Sequence, residues 1–86
     1  MKITETDFTR LQFAVKHFAE TRHLQPRKNY PGMTVTRYIF DVFHGMIDAC
    51  QAERRIEDYL FLRSLYDYLE DSHLETAMKK ALASWL

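Results

Sequence analysis

Val35-Thr36-Arg37-Tyr38-Ile39-Phe40-Asp41-Val42-Phe43-His44-Gly45-Met46-Ile47-Asp48-Ala49-Cys50 is the stretch that decides the fold class of this chain. Wound as an α-helix, it places Val35, Tyr38, Ile39, Val42, Phe43, Met46 and Cys50 on one face. Phe40 and Ile47 widen that face well past an ordinary amphipathic stripe. A helix this apolar must be covered from more than one side, so it predicts the centre of a helical domain. Gly45 stands in its middle, at a cost of about 1 kcal/mol relative to alanine, and either admits a close neighbour or is merely tolerated.

Downstream, the hydrophobic phase breaks. Extending the stripe asks for apolar residues near positions 53, 54 and 57, where Glu53, Arg54 and Glu57 stand. The pattern restarts out of phase at Ile56, Tyr59, Leu62, Leu65, Tyr66 and Leu69. No glycine or proline marks the break, so the phase jump alone predicts a bend or short turn at Gln51–Arg54. Further on, Ser72-His73-Leu74-Glu75 reads as an S-x-x-E capping box. Leu74, Ala77, Met78, Ala81, Leu82 and Trp85 follow it at helical spacing. Upstream, Thr4 and Asp7 resemble a capping box ahead of Phe8, Leu11, Ala14, Val15, Phe18 and Ala19. The segment Gln25-Pro26-Arg27-Lys28-Asn29-Tyr30-Pro31-Gly32 holds both prolines and reads as the loop before the central helix, which Thr34 or Thr36 caps. The reading is all-α: a compact four-helix domain, one domain over residues 1–86. Its helices lie at about 5–24, 35–51, 53–71 and 73–85, the second and third most buried.

Composition bounds the function. At 86 residues a single core is only marginally sufficient, while 47% apolar content argues for folding and 14% aromatic content puts much of the burial on large rings. Twelve basic and twelve acidic residues cancel, which removes any whole-molecule attraction to nucleic acid or anionic membrane and lowers the barrier to self-association. Cys50 is the only cysteine and lies on the apolar face, which reads as a small buried hydrophobe rather than a reactive thiol. The first residues lack the apolar run of a secretory leader, and no segment approaches membrane-spanning length; a cytoplasmic protein is expected.

Chemistry-bearing patterns are sparse. Asp41, His44 and Asp48 share the polar side of the central helix. Asp41-x-x-His44 has the spacing of a bundle metal site, but it occurs once, and local pairing of His44 with Asp41 and Asp48 accounts for it. His17, Glu20 and His23 drift around their helix and make poor chelators. There is no phosphate-cradling glycine motif and no nucleophile–base arrangement, so neither cofactor, metal nor catalytic residue is expected. Arg22, Arg27 and Lys28 beside Tyr30 could contact phosphates and stack on a base, the basis of a nucleic-acid alternative. More weight falls on Phe13, Phe40, Phe61 and Tyr68, which lie off the core stripes of their helices. Grouped exposed aromatics mark an interaction surface. The sequence therefore points to a small non-enzymatic adaptor, inhibitor or regulatory subunit that binds protein, as a homodimer, through an aromatic helical surface.

Overall fold

Three of the four helices begin where a short polar side chain takes up free amide donors of the first turn. In the computed structural model, which describes residues 1–86, Thr4 opens α1 (Glu5–Arg22). Its hydroxyl accepts from the Asp7 amide at 3.0 Å while the Asp7 carboxylate accepts from the Thr4 amide at 3.2 Å, the expected capping box. Thr34 opens α2 (Val35–Ala52), accepting from the Arg37 amide at 3.1 Å. α4 (Ser72–Ala81) departs from expectation. Its cap is Asp71, whose carboxylate accepts from the His73 and Leu74 amides at 2.9 and 3.4 Å. Ser72 is already helical, so the S-x-x-E box does not form. Short 3-10 turns at Arg27–Asn29 and Ala83–Trp85 complete the chain, and no strand is present.

Two helices stop at a left-handed residue that is not glycine. His23 (φ 54°) and Arg54 (φ 57°) occupy the left-handed region that glycine usually fills. After Arg54, the Arg55 amide donates back to Cys50 O at 2.9 Å and the Arg54 amide to Gln51 O at 3.2 Å, a complete Schellman turn. After His23, the Leu24 amide reaches Ala19 O at 3.1 Å and the Leu24 side chain packs on the core. The phase jump read from the sequence is thus a reversal of the chain, and α3 (Ile56–Tyr66) starts only beyond it. α3 is also shorter than expected: amides of Tyr68, Leu69 and Asp71 bond three residues back, tightening the chain into turns before α4.

The second helix is the centre. It supplies eight of the 20 buried residues and packs on each of the other three helices; α1 and α4 also meet. No polar or charged residue is buried. α3 was expected to share the centre but buries only Leu62 and Leu65, whereas α4 buries Leu74, Ala77, Met78 and Ala81. Gly45 has a reason to be glycine: a Cβ there would stand 2.6 Å from Phe18 Cζ, so the α1 ring lies directly on the α2 backbone. The result is a four-helix domain of 34 × 28 × 19 Å in which no helix is long and apolar enough to cross a membrane.

Candidate functional site

Because α3 turns Leu62 and Leu65 inward, the residues half a turn away face out. These include Ile56 and Leu60, one turn apart and 69% and 59% exposed. Ile56 was expected in the core stripe of the third helix. The structure overturns that, because the reversal at Arg54 leaves the first turn of α3 at the edge of the core. Glu57, Arg63 and Ser64 are exposed beside this pair. The Ser64 hydroxyl donates to Phe61 O at 2.6 Å, and Arg63 lies over the Tyr66 ring at 5.0 Å and 3.7 Å from Asp67.

A line of charges fixes this face to α1. Arg10 sits 4.2 Å above the Phe61 ring and 3.5 Å from Asp58. Arg55 pairs with Asp58 at 2.9 Å and Glu53 at 3.1 Å, and His17 reaches Glu53 at 3.4 Å. Partial burial works to raise the Glu53 carboxyl, but the hydrogen bond to His17 and the Arg55 charge outweigh it and hold it below its ordinary range. Arg10, Glu57, Asp58, Leu60 and Phe61 together line a shallow open depression.

The four aromatics singled out in the sequence differ in exposure. Phe13 (67% exposed) stands on α1, stacked 6.4 Å from His17, and Tyr68 is exposed in the turn after α3. Phe40 and Phe61, expected at the surface, are half-buried against the core. Ile56 and Leu60 stand exposed where the sequence reading placed its weight on the aromatics. Their signal was an apolar i,i+4 pair surrounded by Glu57, Arg63, Ser64 and Asp67 on the same side of the helix.

The basic loop is reorganised by one residue. Arg27 points inward, donating to Met33 O at 3.0 Å and Leu86 O at 3.2 Å, with its Nε buried and unpartnered. It holds the loop to the last residues of the chain and is withdrawn from any phosphate. Arg22, Lys28 and Tyr30 remain exposed. Behind them the Tyr38 hydroxyl donates to Gln25 O at 2.5 Å; burial, aided by nearby Tyr30, pushes its pKa up to about 12.

Three of the four histidines have side-chain partners within the chain: His17 with Glu53, His44 with Tyr66 and His73 with Asp71. His44 Nε2 lies 2.9 Å from the Tyr66 hydroxyl, the rings edge to face, rather than with Asp41 or Asp48 as expected, and Asp41 pairs with Arg37 at 3.2 Å. Nowhere do three His, Cys, Asp or Glu side chains gather as ligands would. Cys50 is buried, and burial pushes its thiol up, with Asp58 and Glu53 adding to the rise against the opposing pull of Arg55. In comparisons with known proteins, no family model, no curated protein and no solved structure matches this chain.

Proposed function

We propose that this chain acts by binding protein rather than by catalysis, as a small cytoplasmic adaptor, inhibitor or regulatory subunit whose docking surface is the outward face of α3. The observation that carries the reading is the pair Ile56 and Leu60, large aliphatic side chains left in water one turn apart on the same helix face. Single exposed apolar residues are ordinary, but a grouped pair with a charged rim is the pattern of an interface centre. The rim is already ordered by the Arg10–Asp58–Arg55–Glu53 ion pairs, so little side-chain entropy remains to be lost there on docking. The nucleic-acid alternative keeps only Arg22, Lys28 and Tyr30 at the surface once Arg27 is internal.

The test is affinity capture of the tagged chain from its own cells, with and without nuclease, beside an Ile56→Asp/Leu60→Asp variant. The expected result is a specific protein, an untagged copy of the chain included, retained after nuclease and lost with the variant. Recovery that collapses with nuclease and ignores the variant would transfer the function to the basic loop.

A further inference from the structure

The order of residues on the exposed face of α3 names an occupant. Within the helix, that face carries Ile56, Glu57, Leu60, Arg63 and Ser64, with Leu60 at its middle; Asp67, just past the helix end, lies 3.7 Å from Arg63 of its own chain. The acid lies one turn before Leu60, the base one turn after, and the two flanking residues, Ile56 and Ser64, are large and small. Such a sequence is complementary to its own reverse. We infer that a second copy of this chain docks here, its α3 antiparallel to the first, with the two-fold axis passing beside Leu60. This rests on the protein-binding reading above and deepens it.

The register follows from the two-fold. A residue three places before Leu60 then lies at the height of the residue three places after it in the other copy. Glu57 meets Arg63 of the second copy, and Arg63 meets Glu57 of the second copy, giving two ion pairs from one sequence. Four places out, Ile56 meets Ser64 of the second copy. Ser64 is small, and its hydroxyl is already satisfied by Phe61 O, so covering it strands no donor. The antiparallel arrangement also opposes the two helix dipoles. A parallel arrangement would set Glu57 against Glu57 and Arg63 against Arg63, which like-charge repulsion disfavours. The chain carries no net charge, so two copies approach without long-range repulsion. One pair of short helices makes a small interface, below about 1,200 Å², which belongs to weak association in the micromolar range.

Sedimentation equilibrium of the full chain across micromolar concentrations tests this, with circular dichroism confirming that each variant is folded. The wild type should show a reversible monomer–dimer equilibrium. Leu60→Asp should weaken it on the order of 100-fold, as truncation of an interface centre does. Glu57→Arg should weaken it about tenfold by setting arginine against Arg63, and adding Arg63→Glu should restore it. Restoration by the double charge reversal is the outcome a merely destabilising substitution cannot produce. A dimer indifferent to Leu60→Asp, or a charge reversal that fails to restore, would overturn the antiparallel α3 pairing. A strictly monomeric chain whose captured proteins still vanish with the Ile56→Asp/Leu60→Asp variant would overturn the second copy and leave protein binding standing. A monomer with no variant-dependent capture would remove both.

Discussion

Gly45 shows how much one absent methyl group decides. Helix propensity alone makes Gly45→Ala stabilising by about 1 kcal/mol. Space makes it destabilising, because the new Cβ would press to 2.6 Å on the Phe18 ring and displace it from the α2 backbone. The expected outcome is a net loss of about 1 kcal/mol, the overpacking term exceeding the propensity term. In a Phe18→Leu background the same substitution should turn stabilising, and urea titrations of the four proteins measure the change of sign. Gly45→Ala stabilising in both backgrounds would show that Phe18 yields freely. From sequence, Gly45 was readable only as a question, since the ring that answers it comes from another helix. Ile56 was misread for a related reason: its spacing fits the core stripe of α3, but spacing does not say where the core ends.

At the scale of elements, most of the fold was legible. The broad apolar face of Val35–Cys50 identified the central helix, Thr4-x-x-Asp7 marked a real cap, and the out-of-phase restart at Ile56 located the reversal. The helix ends were not legible where the chain breaks the usual rule. His23 and Arg54 take left-handed conformations without the glycine that would have announced them, so α1 read two residues too long and α3 three too early. Asp71 lay hidden beside a more conventional serine cap. The αL conformation costs a residue with a Cβ about 1 kcal/mol. Arg54→Gly, at an exposed position where the arginine side chain makes no ion pair or hydrogen bond, should therefore raise stability by about 0.5–1 kcal/mol. Arg54→Val should lower it, since a β-branched residue is least tolerant of that region. Equal midpoints for the three proteins in thermal or urea unfolding would contradict this account of the α2–α3 reversal.

For the whole molecule, acidity is the condition that exposes its electrostatic design. The core contains no charge, so pH acts through groups at the surface. Asp71 is held below its ordinary range: partial burial works against it, but the His73 amide, the amine of Met1 and the Leu74 amide outweigh burial. Glu53 is lowered in the same sense by His17 and Arg55. Carboxylates lowered on folding contribute fully above the ordinary carboxylate range, about pH 4, and lose that contribution as pH falls through the lowered values. Melting temperature should thus hold steady from neutrality to about pH 5 and fall below it. Asp71→Asn, which keeps a capping side chain, should flatten part of the acid limb, and an unchanged limb would assign the loss to other groups. The proposed docking face was less legible than the fold because it depends on which apolar residues the core declines, a property of packing rather than of pattern. The inward turn of Arg27 has a further consequence. By binding Met33 O and Leu86 O together, one guanidinium ties the stretch before α2 to the far end of the chain, and the two should open together. Peptide amides separated by more than fifty positions should exchange with solvent at a common rate, so the chain's extremity reports, at a distance, whether its first connection is closed.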